Sequence, residues 1–517
     1  MDALVKHSPK AMGWFNANRL GDCVCVEFGC HMAQKSLTTQ CCSGLLVLVG
    51  GLRGRPKKIV SRQSESTSIM HFARCWLEKA IFNRVFPVFV LMLLFSLARV
   101  GYAADANQFG PRPVFQGPDL NSVRLGQLLF YDPILSGNKN ISCATCHHPR
   151  FGTSDGVSLS LGEGGVGLGP DRKYDLENIP EQRLPRNSPG LWNLGAEEFA
   201  VFFHDGRLEA DQDQPFGIRT PLGSEMSKGF QSALAAQAMF PVLSPDEMAG
   251  HYSENDVSQA VRMGFLSQPG GAWEIIAKRV ADIPEYAAAF DEIYPGQDIH
   301  FSDIANVIAD FIAFEWRADA SPFDKAMTGG DPLPPIAEVG MQLFYGTAGC
   351  GDCHSGWFQT DHAFHAIAMP QIGPGKAARF EDHVRDEGRL RVTGDNQDRF
   401  AFRTPSLRNV TVTGPYGHNG AYSRLEDVVR HHLDPVKSLR AYSIDLAILP
   451  ELPGSDDQGP LSDTEHVRSI AEANSLAQKE LDENDMAAIL AFLKALEDPV
   501  ERLGVPDTVP SGLPVDQ

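Results

Sequence analysis

Cys143-Ala144-Thr145-Cys146-His147 recurs in kind at Cys350-Gly351-Asp352-Cys353-His354, and these two stretches decide the reading of the chain. Two thiols at this spacing reach both vinyl groups of one porphyrin, and the next residue brings an imidazole to the iron. A zinc site could also use C-x-x-C, but cysteine is rare here and both pairs are followed by histidine. Each motif therefore predicts one covalent c-type haem, held by Cys143, Cys146 and His147 or by Cys350, Cys353 and His354.

The remaining cysteines agree. Of ten, six (Cys23, Cys25, Cys30, Cys41, Cys42 and Cys75) precede residue 104, and the other four all belong to the two motifs. An exported protein would turn spare cysteines into disulfides; past residue 104 there are none to spare. Export is expected from the apolar run Phe86 to Leu97, preceded by Arg74, Lys79 and Arg84 and followed by Tyr102-Ala103-Ala104. This is signal-peptide length, too short for a comfortable membrane span. Residues 70–104 read as a signal peptide and 1–69 as a spurious or disordered extension; an uncleaved anchor is the alternative. Cleavage would leave a periplasmic protein with no stable membrane association.

Charge narrows the partners. Residues 1–104 hold 13 of 45 Lys+Arg and 5 of 65 Asp+Glu, so the rest carries 32 against 60, a net −28. Such a surface argues against nucleic acid and anionic membranes and suits a basic redox partner.

Helical periodicity dominates. Ile304, Val307, Ile308, Phe311 and Ile312 share a face of a helix expected from Ser302, as N-cap, to about Phe314. Met486, Ile489, Leu490, Leu493 and Leu496 do the same between Asp482 and Glu497, where Pro499 would stop the helix. Strand alternation is scarce. The fold class expected is mainly α, with an N-terminal haem domain over 105–330 and a C-terminal one over 331–517. Gly162-Glu163-Gly164-Gly165-Val166-Gly167 fits G-x-G-x-x-G but has no strand before it and no helix after it, so it reads as a flexible loop.

The segments after the motifs add Pro185-Arg186-Asn187-Ser188-Pro189-Gly190-Leu191-Trp192-Asn193, Phe203-His204-Asp205-Gly206-Arg207, Gln214 and Glu225-Met226. Downstream stand Phe402-Arg403-Thr404-Pro405, Thr413-Gly414-Pro415-Tyr416-Gly417-His418-Asn419-Gly420 and Leu425-Glu426-Asp427-Val428-Val429. With these, the chain over about 119–498 resembles the bacterial di-haem cytochrome c peroxidase family, within it the MauG-like branch. The resemblance implies two cytochrome c-like domains facing each other. The N-terminal haem would react with hydrogen peroxide, the C-terminal haem would pass electrons, and calcium would lie between them. By position, Asn187, Thr413 and Pro415 would serve the calcium, carbonyl and amide oxygens suiting a hard cation. Gln214 and Glu225 would be the distal-pocket pair, Glu225 moving the proton.

Three positions depart from the pattern. The conventional peroxidases place a capping histidine sixteen residues beyond the first haem's histidine; here that residue is Glu163, so the first iron is expected to be open. The tryptophan between the haems is replaced by His204, a poorer relay or simply a hydrogen-bonding core residue. The distal ligand of the second haem, a methionine or tyrosine nineteen residues after the threonine, is replaced by His432, with His431 beside it; Met369 is the fallback ligand. Three functions follow: peroxide reduction with a small redox protein as donor, MauG-like oxidation of Tyr or Trp in a partner protein, or non-enzymatic electron carriage. The segment between His432 and Asn474 has no task in the resemblance.

Overall fold

The structure is a computed structural model, and it describes residues 106–376, 381 and 383–516. The expectations for residues 1–69 and for the signal peptide 70–104 lie outside the described residues. Helices dominate; the strands among the described residues are two or three residues long, in three small antiparallel sheets.

Two helix pairs organise the two cores. In the first, α1 (Leu120–Tyr131) crosses α2 (Phe301–Glu315). Gly126 lets them touch: a Cβ there would stand 1.8 Å from the Val307 carbonyl oxygen. In the second, α3 (Pro335–Phe344) crosses α5 (Glu483–Ala495), and Gly340 meets the Ala488 carbonyl in the same way, also at 1.8 Å. Any side chain at either glycine would push the pair apart. The first core gathers Leu129, Phe130, Ile304, Val307, Phe311 and Trp316, the second Met341, Phe344, Ile489, Phe492 and Leu493.

Two segments cross between the cores. Phe109 packs in the second, 5.1 Å from the ring of Phe323, while Val509 packs in the first. The tail is fixed by the buried Glu315 carboxylate, which accepts the N–H groups of Arg502, Leu503 and Gly504 at 2.9, 2.7 and 3.0 Å. Phe323 likewise packs in the second core and Phe358 in the first, so the two cores interleave along the chain.

The helix ends differ from the sequence reading. Ser302 does not cap α2: the helix begins at Phe301, the Asp303 carboxylate accepts the His300 N–H at 2.9 Å, and Ser302 is buried. Asp482 does cap α5, accepting from Asn484 and Asp485. That helix ends at Ala495, before Pro499 can act, because Asn409 grips Asp498 through both backbone groups. The Gly162–Gly169 loop is not a free one. Gly165–Val166 pairs with Lys173–Tyr174, and Arg172 donates to the carbonyls of Gly162 and Gly167. Among the described residues no helix is long and apolar enough to cross a membrane.

Between α4 (Leu425–Leu433) and α5, residues 433–474 fold as three short α-helices and one 3-10 turn. Leu439 and Ile470 pack on Ala368 and Phe400. The same segment ties back to the first half: Ser158 and Ile448 exchange hydrogen bonds, and Arg183 pairs with Asp457 at 2.9 Å.

Candidate haem sites

Both motifs are wound into one tight turn, Cys143–Cys146 and Cys350–Asp352, which sets the thiols on one side and delivers the following histidine. The four thiols form no disulfide. Burial pushes Cys143 and Cys146 up to about 12 and Cys350 up to about 11. His147 Nδ1 lies 3.0 Å from the Thr153 carbonyl oxygen, and His354 Nδ1 lies 3.0 Å from that of Gln359. A carbonyl only accepts, so the proton sits on Nδ1 and the Nε2 lone pair is left for a metal. Burial also keeps these rings neutral, lowering His147 and bringing His354 down to about 4. This donor set fits a c-type haem at each motif.

Opposite His354 stands His432. Their ring centroids are 6.4 Å apart. Two metal–imidazole bonds of about 2 Å, each with about 1 Å from nitrogen to ring centre, put axial imidazoles about 6 Å apart. His432 Nδ1 donates to Val428 O at 2.7 Å, one turn back in α4, so its Nε2 is also free. His431 has neither nitrogen to spare: Nε2 is 2.8 Å from Ile367 O, and Nδ1 is 3.0 Å from the Tyr422 hydroxyl. Met369 packs with Tyr422 and Val428. The geometry favours His432 over its neighbour.

The first site has a different far side. Glu163, where a capping histidine would stand, is buried, and its carboxylate accepts the amides of Asn138, Asn140 and Asn178 at 2.9, 2.7 and 2.9 Å. Its N–H donates to Asp246 O at 2.9 Å, which bolts the loop to the turn Pro245–Ala249. That turn carries Glu247. Its charge reaches the Cys146 thiol, and its own carboxyl is raised by burial, against the pull of Lys376 and Arg207.

Gln214 and Glu225 are exposed. Both lie in exposed turns, Pro215–Gly217 and Gly223–Glu225, and the Glu225 carboxylate has no partner. The chain repeats this signal. Gln214 with Glu225-Met226 is followed by Gln237 with Glu247-Met248, and the second set is the one folded inward, Gln237 on the helix Ala233–Ala238. Burial, not spacing, separates the two.

Between the sites runs a buried polar wall. Arg186 pairs with Asp205 at 2.7 Å and with Asp386 at 2.7 Å, joining the halves. Burial would raise Asp205, but Arg186 and Arg207 bring it down to about 2. His204 donates from Nε2 to Asn187 O at 3.0 Å, and burial, aided by Arg186, lowers it to about 4. It is a neutral, hydrogen-bonded ring. Asn187 in turn donates its N–H to His418 O at 2.9 Å and its side-chain amide to Val157 O at 2.8 Å. It thus lies along the segment carrying Thr413 and Pro415, whose Gly414–Pro415 peptide is cis.

Two C-x-x-C-H sites on a mainly helical fold define a c-type cytochrome. Comparison with known proteins makes the class specific. A family model described as di-haem cytochrome c peroxidase matches residues 121–331. The methylamine utilization protein MauG of Methylorubrum extorquens is 29% identical over 328 residues, which are 62% of this chain and 71% of the relative. The cytochrome c peroxidase Ccp of Escherichia coli is 31% identical over 325 residues, 62% of this chain and 54% of that one. The crystal structure of the diheme peroxidase BthA from Burkholderia thailandensis shares the fold, with a TM-score of 0.51 at 19% identity over 74% of this chain and 87% of that one. Over residues 121–331 the chain matches the di-haem cytochrome c peroxidase family model, its relatives include both MauG and cytochrome c peroxidases, and it is an oxidoreductase of that type.

Proposed function

We propose that the protein is a periplasmic oxidoreductase that reacts with hydrogen peroxide at the site of Cys143, Cys146 and His147, the site of Cys350, Cys353, His354 and His432 relaying or storing electrons. The observation that carries this reading is the asymmetry of the two sites. His432 stands across from His354 at 6.4 Å, whereas Glu163 occupies the first site's capping position and is engaged by three asparagines. A bound haem supplies an iron that exchanges single electrons and, with one face free, takes peroxide.

The residues around it do the proton work. Glu247, its acidity weakened by burial, holds a proton at its carboxyl and gives it to the oxygen that leaves as water. It then recovers one, general acid–base work worth about 10²–10⁴-fold. The Asn138–Asn140–Asn178 net around Glu163 and the bond to Asp246 hold its turn in place. Asn187, with the carbonyls of Thr413 and Pro415, would hold calcium between the halves. With a net charge near −28 after export, the electron donor would be a small basic redox protein.

MauG-like oxidation of Tyr or Trp residues in a partner protein is the second reading. The His354–His432 pair favours it, since two imidazoles hold a lower potential than histidine with methionine. EPR of the oxidised holoprotein tests the common core. One high-spin and one low-spin iron are expected, with haem bands that respond to peroxide before any reduction. Two low-spin irons, with reaction only in the half-reduced protein, would overturn it.

A further inference from the structure

Arg403 is an interior cation that meets no carboxylate among the described residues. Arg183, Arg186 and Arg408 are buried too, but each has its anion: Asp457, Asp205 with Asp386, and Asp324. The Nη1 of Arg403 reaches only the carbonyl of the next residue, Thr404, at 3.3 Å, and its Nε is shut off from solvent without a partner. Burial pulls the guanidinium down to about 10, and no carboxylate offsets that pull. Keeping a charge in such a place without a counter-charge is strongly unfavourable. The residue as a whole is nevertheless only half-buried. A group desolvated by the atoms around it that still keeps accessible surface lines an opening in the interior. His147, His354 and His432, the imidazoles of the two sites, share that combination.

The path of the chain puts Arg403 beside the second motif. His354 is held by the carbonyl of Gln359, and the segment from there runs into Phe364–His365, which pairs with Phe402–Arg403. Thr360 donates to Thr404 O at 2.7 Å, and Thr404 donates its N–H to Ala363 O at 2.9 Å. The Cys353 thiol, the Asp361 carboxylate and the His365 imidazole lie within 4.8 Å of one another. Asp361, the acid of that segment, is taken by His365 at 2.8 Å. We propose that Arg403 is the counter-ion of a porphyrin carboxylate at the second motif. This rests on the haem proposed at that motif and not on the reaction with peroxide. A c-type porphyrin carries carboxylate side arms, and burying one is as unfavourable as burying the guanidinium unless the two meet. The planar fork of an arginine fits a carboxylate, and the pair is held by charge-assisted hydrogen bonds. Paired in this way the carboxylate stays ionised and its charge is balanced, so that arm does not make the potential of the site depend on pH.

The test is a redox titration of the holoprotein at several pH values for wild type, Arg403→Gln and Arg403→Lys. The mass of each protein and its low-spin EPR signal show that the second haem is attached and assembled. The second haem's midpoint potential in Arg403→Gln should match wild type on the acid side, where an unpaired carboxyl is protonated. It should fall progressively below wild type as pH rises, because an unbalanced negative charge favours ferric iron. Arg403→Lys keeps the charge and should restore most of the wild-type profile. A second-haem potential unmoved by Arg403→Gln, one displaced equally at every pH, or a shift confined to the first haem overturns the proposal. The haem's carboxylate bending band in resonance Raman should move in both variants. An unmoved band in Arg403→Lys overturns the proposal even where Arg403→Gln does not assemble. If mass spectrometry finds no haem on Cys350 and Cys353, the haem reading of that motif fails and takes the proposal with it. With the haem present and its potential unresponsive, the proposal fails alone.

Discussion

On their proximal sides the two attachment sites are near copies. His147 donates from Nδ1 to a carbonyl six residues on, and His354 to one five residues on, both at 3.0 Å. Each belongs to a half whose main helix pair meets at a glycine, Gly126 of α1 against α2 and Gly340 of α3 against α5. Across from these histidines the likeness ends. The second site meets an imidazole, His432; near the first, the carboxyl of Glu247, on a turn fastened to the Glu163 loop, acts on the Cys146 thiol. Attachment chemistry is thus carried by a local motif, while what each haem site does is set by residues 70 to 100 positions away.

The hardest way to break this comparison is to remove the carboxyl from the first site. Glu247→Gln should lower peroxide turnover by about 10²–10⁴-fold, the usual worth of a placed acid–base group, with spin states unchanged. Glu225→Gln should stay within about twofold, as expected of an exposed side chain. Steady-state assays on the two variants decide it; equal losses would return Glu225 to the site.

Making the second site resemble a conventional peroxidase is the next largest change. His432→Met should raise the potential of that haem by on the order of 100 mV, within the range of about 0.8 V that axial ligands span. It should also introduce a near-infrared sulfur-to-iron band. His431→Leu should shift the potential far less. A methionine band already present in the wild type would move the ligand to Met369.

The wall between the sites sharpens the comparison through pH. Asp205 is held at about 2 in the folded chain, against about 3.9 for a free side chain. A depressed carboxyl stabilises the fold above its unfolded value, and that contribution is lost as pH falls from about 4 to about 2. The shift corresponds to about 2–3 kcal/mol. Denaturant midpoints of Asp205→Asn should therefore lie below wild type at pH 7 and approach it near pH 2.5. A gap independent of pH would mean that Asp205 matters by shape and not by charge.

Much of this was legible in order of locality. The two C-x-x-C-H motifs, the mainly helical class and the helix from Asp482 are written within a few residues of one another, and the helical class stands. His432 was reachable because it lies in register after Thr413, although choosing it over His431 needed the bonds to Ile367 and Tyr422. A Gln followed by Glu-Met occurs twice, at Gln214 with Glu225 in exposed turns and at Gln237 with Glu247, both half-buried, and sequence carries no measure of which copy is enclosed. Ser302 failed for the same kind of reason: Asp303, one residue on, reaches the His300 N–H, and Ser302 turns inward.

What the amino-acid sequence determined by itself is covalent and short-range: two thiol pairs, two histidines next in line, helices whose apolar residues return every third or fourth place, and the excess of carboxylates. Tertiary structure alone decided which arginine joins two distant carboxylates, which of two adjacent histidines keeps a free nitrogen, and which loop carboxylate is held by a net of asparagines. The physical reason is common to all three. Desolvation and hydrogen-bond partnership depend on groups brought in from distant parts of the chain. Arg186 needs Asp386, His431 needs Ile367, and Glu163 needs Asn138 and Asn178 before any of them has its role.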